Sequence, residues 1–247
     1  MFRYKLIISF LLISAVSFCG NPMSRLLLKN NAVATIVFKN SVKATANSPY
    51  ATVTTAAVDM SGSDVIYIAT SDYAFVGAVL TSLTDNLGNS YPLIRSQTQA
   101  GGPRISIYRC YSPSGALSSM TFTYPSITNS YPGIIAAGFS GTSGAAVDHQ
   151  NSAGWGGLSG TTSQQPGSIT PTQNGELIIV AANVFVATAT PTINSGFSAA
   201  IFQQSNAGQT YSMMMSYYIQ PTASAINPTI TFTPLGSNAC GLIISSK

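Results

Sequence analysis

From Ala32 onward the chain holds no sustained 3.6-residue apolar period bracketed by helix caps. Short runs of β-branched and aromatic residues recur instead, separated by Gly, Asn, Pro and Ser. Such runs read as strands. One series extends from Ala34–Lys39 to Gly133–Phe139, and a second from Glu176–Ala182 to Cys240–Ser245. Asp85-Asn86-Leu87-Gly88-Asn89 reads as a hairpin loop between two of them, because Asp, Asn and Gly tolerate the left-handed backbone of such loops. Strands at this spacing with no helices between them predict an all-β protein, an antiparallel β-sandwich of jelly-roll or immunoglobulin-like type.

The two series resemble each other. Asp64–Ala69 matches Glu176–Ala181, Ile105–Pro113 matches Met213–Pro221, and Met120–Thr123 matches Ile230–Thr233. Three blocks in the same order point to two related halves, while strand-rich segments also converge by chance. The reading is a first β half over 32–141, a Gly/Ser/Thr-rich connector over 142–168 and a second β half over 169–247. A long connector of that composition reads as a loop, and loops of this kind often carry function.

Charge is scarce. Only 6% of residues are Asp, Glu, Lys or Arg, against about 25% in ordinary soluble domains. Hydroxyls take their place, with 34 Ser and 25 Thr in 247 residues. The formal +4 is also unevenly placed: residues 1–43 hold six basic residues and no acid, so the remainder carries −2. A body without a basic patch excludes the electrostatic footprint of a nucleic-acid binder.

Met1–Lys5 is a short basic segment, Leu6–Val16 an apolar run, and Ala15-Val16-Ser17 supplies small residues for cleavage. Residues 1–17 therefore read as a signal peptide, followed by a linker over 18–31. The apolar run is too short for a membrane-spanning helix, so the mature chain is expected to have no transmembrane span and to be exported, extracellular or at the cell surface. Lipid anchoring at Cys19 is the minority alternative, since Phe18 stands where a small residue is needed.

Ser63-Asp64-Val65-Ile66, Thr84–Tyr91, Ile105–Tyr111, Ala136–Ser140 and Gly175–Ile179 fall in a familiar order. They resemble a largely uncharacterised β-sandwich module widespread in secreted and surface-associated bacterial proteins and in some phage proteins. The resemblance spans roughly Ala32–Lys247, and Gly241–Lys247 departs from it by lacking an aromatic near the end. It implies an adhesive or carbohydrate-binding accessory role and supplies no catalytic residues.

Residue by residue, catalysis finds little support. Asp148-His149 contains the only histidine, and adjacent residues rarely point at one another as a triad demands. Asp59, Asp64, Asp72 and Asp85 are turn and strand-edge carboxylates before they are a glycosidase pair. A Cys110–Cys240 disulfide is allowed by export, with two small buried hydrophobes as the alternative. No cofactor is required, and calcium is the one ion considered, with Asp85, Asn86 and Asn89 supplying oxygens. Trp155, alone among glycines in Gly154-Trp155-Gly156-Gly157, is the candidate ligand-binding ring, against the plainer reading of a loop anchor.

These readings converge on a non-enzymatic protein whose partner is a neutral polysaccharide or another copy of itself. The first is adhesion or glycan binding at a cell surface; the alternative is a structural subunit of a surface fibre or phage virion.

Overall fold

The computed structural model describes residues 35–45, 52–73, 80, 82–125, 131–144, 146–156, 163–185, 189–194, 196–199, 201–205, 211–233 and 238–247. The expected signal peptide (1–17), the linker (18–31) and Cys19 lie outside the described residues. Strands run in chain order as β1 (Val37–Thr45), β2 (Val53–Thr54), β3 (Val65–Tyr73), β4 (Ser82–Asp85), β5 (Ser90–Thr98), β6 (Pro103–Tyr111), β7 (Phe122–Tyr124) and β8 (Gly133–Ser140). They continue as β9 (Val147–Trp155), β10 (Ser163–Gln164), β11 (Glu176–Phe185), β12 (Thr190–Ile193), β13 (Ile201–Ser205), β14 (Tyr211–Gln220), β15 (Ile230–Thr233) and β16 (Ala239–Ser246). A short 3-10 turn at Leu117–Ser119 is the one helical element among the described residues, and no helix there is long and apolar enough to cross a membrane.

The strand order repeats. The first half runs β1-β8-β3-β6-β5-β4-β7-β2 in one folded sheet. Its fold line is β5, whose Ser90–Pro92 pairs with β4 and whose Leu93–Thr98 pairs with β6 across an irregularity at Leu93/Arg95. The second half sets β9-β16-β11-β14-β13 against β12-β15-β10, the same order with every strand advanced by eight. Even the isolated bridges correspond, Val58 with Met120 and Ile169 with Ile226. All three blocks matched in the sequence fall on equivalent strands, β3 with β11, β6 with β14, and β7 with β15, but the third match is two residues out of register, since Asn86 bonds Thr121 as Asn194 bonds Thr229.

Each half is a sandwich with its own core. Ile66, Ile68, Tyr108, Ile134 and Ala136 of the inner layer meet Leu83, Tyr91, Phe122 and Tyr124 of the outer layer. In the second half Ile178, Val180, Met214 and Ile243 meet Ile230 and Phe232. A third core lies between the halves, where Val65, Tyr67, Ile105, Ile107 and Phe139 pack on Leu177, Ile179, Met213, Met215, Leu242 and Ile244. The two inner sheets therefore face each other, giving a four-layered β protein.

This stacking explains which strands alternate. The outer strands β4, β7, β12 and β15 are buried on one face only and switch between buried and exposed residues. The inner strands β3, β11 and β16 are buried almost end to end, because side chains on both of their faces enter a core. Contacts between the inner sheets pair β6 with β11 and β3 with β14, β5 with β16 and β13 with β8, β5 with β9 and β1 with β13. Each contact has its counterpart under exchange of the halves, which is the signature of a two-fold relation running along the strands. Polar groups also cross this interface: Arg95 Nε donates to Ser152 Oγ at 2.9 Å, and Asn183 Nδ2 donates to the Arg104 carbonyl at 3.0 Å.

One expectation is corrected. The segment 142–168 is not a loop throughout, since it contains β9 and β10. β9 pairs with β16 from Val147 to Trp155 and completes the second inner sheet as β1 completes the first. Its sequence, VDHQNSAGW, lacks the β-branched and aromatic run that marks the other strands. Ladder hydrogen bonds to β16 hold an edge strand of low intrinsic propensity.

Candidate functional site

The residues singled out in the sequence are mostly spent on structure. Trp155 closes β9 opposite Ala239, and its half-buried indole packs on the core of the second sandwich. The ring lies across Gly241, where an added Cβ would stand 3.2 Å from Cη2. That contact takes up part of the ring, so Trp155 is an anchor on a strand rather than a ring borne by a flexible loop.

Asp85, Asn86 and Asn89 form a hydrogen-bond knot. Asp85 Oδ1 accepts from the backbone amides of Leu87 (2.8 Å) and Asn89 (3.0 Å), while Oδ2 accepts from Asn89 Nδ2 (2.9 Å) and the Tyr91 hydroxyl (2.8 Å). Asn89 Oδ1 accepts from the Ser114 amide at 2.9 Å, and Asn86 Oδ1 from the Thr121 amide at 2.8 Å. Burial, together with the Asp85 carboxylate, pushes the Tyr91 phenol far above its ordinary value. Oxygens that already face N–H and O–H donors present positive hydrogens where a cation would sit. The expected calcium ligands are therefore corrected to a staple holding the β4–β5 hairpin on the Ser114–Thr121 segment. Among the described residues no group of three His, Cys, Asp or Glu side chains could hold a metal ion.

Cys110 and Cys240 are separate free thiols, both buried. Cys110 belongs to the core inside the first sandwich and Cys240 to the core between the halves. Successive residues of β6 point to opposite faces, so the inner sheet stands between the two sulfurs and the expected disulfide is not formed. Burial pushes both thiols up, and Cys240 Sγ donates to the Pro103 carbonyl at 3.3 Å.

Asp59, Asp64 and Asp72 are each engaged separately, whereas Asp148 Oδ2 and Glu176 Oε1 come together on the Thr172 amide, at 2.8 and 3.1 Å. Asp59 Oδ1 accepts from the Ser61 amide at 2.8 Å, and Asp64 Oδ2 from the Gly141 amide at 2.6 Å. Asp72 pairs with Arg104 inside the protein. His149 Nε2 lies 3.8 Å from Asp148 Oδ2 with its imidazole 44% exposed on β9, and Asp148 is engaged by the Thr172 amide at 2.8 Å and by Lys247 Nζ at 3.6 Å.

What the structure does open is a cleft of ≈ 400 Å³ where β5 meets the end of β6, lined by Ser90, Pro92, Leu93, Ile94, Arg109, Cys110 and Tyr111. Tyr111 is 40% exposed, one of two large apolar side chains so exposed among the described residues. Its ring rests on Gly144 (φ 72°), where a Cβ would stand 1.9 Å from the ring carbon Cζ. Only glycine fits beneath that ring. The next residue, Ser112, has φ 51°, a conformation that costs a non-glycine residue energy and that proteins tend to retain where it serves a site. Pro92, Leu93, Ile94 and the Tyr111 ring give the cleft apolar walls and Ser90 places a hydroxyl at its edge, the usual make-up of a small-ligand site. The sequence signal for this cleft was a tyrosine at a strand end, in Tyr111-Ser112-Pro113, with nothing to separate it from the other tyrosines.

The outer sheets add a second surface. In the first, Thr54 lies opposite Thr123, Thr123 opposite Thr84, and Thr84 opposite Ser90, a rung of hydroxyl residues straight across four strands. The second repeats it at the equivalent positions Ser163, Thr231 and Thr192. Thr54 and Thr123 share a hydrogen bond at 3.1 Å, and Ser82 and Ser90 one at 2.9 Å. The six strands β2, β4, β7, β10, β12 and β15 contain no basic residue and one acid, the inward-facing Asp85. No protein-family model matches the chain, and no curated protein or solved structure matches it either.

Proposed function

We propose that the protein is an exported, non-enzymatic adhesion module that binds neutral glycan at a cell surface, built as two jelly rolls joined through their inner sheets. The jelly-roll reading rests on the strand order, 1-8-3-6 facing 5-4-7-2 in the first half and repeated in the second. The glycan reading rests on the Tyr111 cleft. A tyrosine ring backed by glycine offers a flat face to the C–H face of a sugar, and Ser90 offers a hydroxyl to its hydroxyls. The uncharged hydroxyl rungs of the outer sheets favour the same kind of partner, since a neutral polyol loses little on leaving water for a surface of hydroxyls.

The competing reading, a subunit of a surface fibre or virion, draws on the low charge. The edge strands weigh against assembly by strand pairing. β1 carries Lys39 and Lys43 and a bulge between Phe38 and Asn40, and the pairing of β9 is broken at Ile244/Ser246. Bulges and edge lysines are the devices by which sheets avoid pairing between molecules.

The test is a screen of neutral polysaccharides and oligosaccharides by pull-down and glycan array, repeated with Tyr111→Ala. Binding by the parent and a loss of at least about tenfold in the variant is the expected result. A folded protein that binds none of them, or whose binding ignores Tyr111, overturns the reading.

A further inference from the structure

We infer a second, independent saccharide subsite at the end of β14, which makes the protein bivalent. It rests on the glycan reading for the class of ligand, and on different residues for its place. Gln220 is 4% exposed, and its Nε2 donates to the Ser224 carbonyl at 2.8 Å and the Ser224 hydroxyl at 2.9 Å. Those two bonds fix which end of the amide is nitrogen. Its Oε1 accepts no hydrogen bond within the protein. A buried, oriented and unsatisfied acceptor is costly, and a ligand hydroxyl brought to it through the adjoining cleft would remove that cost.

Gln220 lines a cleft of ≈ 220 Å³ together with Tyr218, Pro221, Thr222, Ala225 and Ile226. No residue of this cleft is charged, so the ligand it fits is neutral. Tyr218 is held against Phe197 at 5.5 Å between ring centroids, giving a fixed aromatic wall. Thr222 adds a hydroxyl. An acceptor, a hydroxyl and an aromatic wall suit a sugar ring, which carries O–H donors on its rim and C–H groups on its face.

The position repeats the two-fold relation of the halves. β14 is the counterpart of β6, and the two clefts lie at the ends of these strands, ahead of Pro113 and Pro221. Tyr73 at the end of β3 meets Tyr211 at the start of β14 with centroids 5.9 Å apart, and β6 runs antiparallel to β3. β6 and β14 therefore both run away from that contact, and both clefts open at the same end of the molecule. Two sites on one end can engage one polymer together, which raises avidity without a new contact.

The experiment uses the full chain, with xylohexaose, cellohexaose and mannohexaose as probes in isothermal titration. Ala225→Trp fills the β14 cleft without touching Gln220, and Gln220→Met removes the acceptor. The parent is expected to bind two saccharides per chain, Ala225→Trp and Tyr111→Ala one each, and the double variant none. Gln220→Met is expected to weaken the β14 site at least about tenfold. One saccharide per chain, lost with Tyr111→Ala and unchanged in Ala225→Trp, overturns the second site and leaves the first standing. One saccharide lost only with Ala225→Trp overturns the Tyr111 site and the bivalency together. No binding by any probe overturns both.

Discussion

The buried ion pair of the first half offers a test against the protein's own second half. Arg104 Nε lies 2.7 Å from Asp72 Oδ1, the residues are 3% and 1% exposed, and the Tyr124 hydroxyl donates to Asp72 Oδ2. Burial pushes the Asp72 carboxyl up, and Arg104 and Tyr124 oppose it. Asp72 and Arg104 are register partners on β3 and β6; at the equivalent register of β11 and β14 stand Val184 and Ser212. The fold thus accepts an uncharged pair at this place. Arg104→Ser leaves a buried carboxylate without its counter-charge and should cost about 3–5 kcal/mol. The double variant Asp72→Val/Arg104→Ser removes that charge but orphans the Tyr124 hydroxyl, a residual cost of about 1–3 kcal/mol. Adding Tyr124→Phe should bring stability back to within about 1 kcal/mol of the parent. For a domain of this size each kcal/mol moves Tm by about 2–4 °C, so the single variant should melt about 6–20 °C lower and the triple variant near the parent. Urea unfolding with matched m-values would check the order. A single variant as stable as the parent, or a triple variant as unstable as the single, refutes the reasoning.

Three further outcomes follow from the site geometry. Asp85→Ala strands four donors and should cost about 2–4 kcal/mol by urea denaturation, while calcium or EDTA should leave the parent's melting curve where it is. Cys240 should resist labelling by a thiol reagent in the folded protein and react only in denaturant, while Cys110, which lines the β5–β6 cleft, should label sooner, read by mass spectrometry of their peptides; a disulfide-linked peptide would contradict the placement in separate cores. Burial works to raise the Asp148 carboxyl, but hydrogen bonds from Thr172, a hydrogen bond shared with Glu176 and the nearby Lys247 ammonium outweigh it and hold the group below the usual carboxylate range. A depressed folded pKa gives stability that is present above the unfolded value near pH 4 and lost as pH falls through the folded one. Asp148→Asn should therefore be less stable than the parent at pH 6, and the gap should close as pH is lowered through the acid limb.

The sandwich itself was legible because strand runs and turn residues survive any arrangement of layers. The stacking of the halves was also written in the chain, in Val65–Thr70, Glu176–Ala182 and Cys240–Ser245, which do not alternate. An unbroken apolar run says that both faces of a strand are buried, and two such sheets in one chain bury their second faces most simply on each other. β9 stayed hidden for the opposite reason: its ladder to β16, and not its side chains, makes it a strand. The site was harder to see. Asp, Asn and Gly at Asp85–Asn89 serve equally as cation ligands and as turn staples, and only the donors aimed at Asp85 tell the two apart. Trp155 drew notice by being the only tryptophan, whereas the Tyr111 ring is seated on Gly144, thirty-three residues away.

The scarcity of charge also acquires a physical reason from the four layers. A two-layered sandwich turns half of each strand to solvent, where charged residues are cheap. Here β3, β8, β11 and β16 turn both faces inward, and a charge on them would be desolvated. Hydroxyls and small residues fill most of those strands instead, as at Thr70, Ser71, Ser245 and Ser246, and the two acids on them, Asp72 and Glu176, are each engaged by donors. The outer sheets are under no such constraint, since their exposed faces could carry Lys and Glu at little cost. That they carry Thr54, Thr84, Thr123, Thr192 and Thr231 in register is therefore not forced by packing. The inner layers explain their low charge by burial; the outer faces call for another cause, and a neutral, hydroxyl-rich partner is one that would supply it.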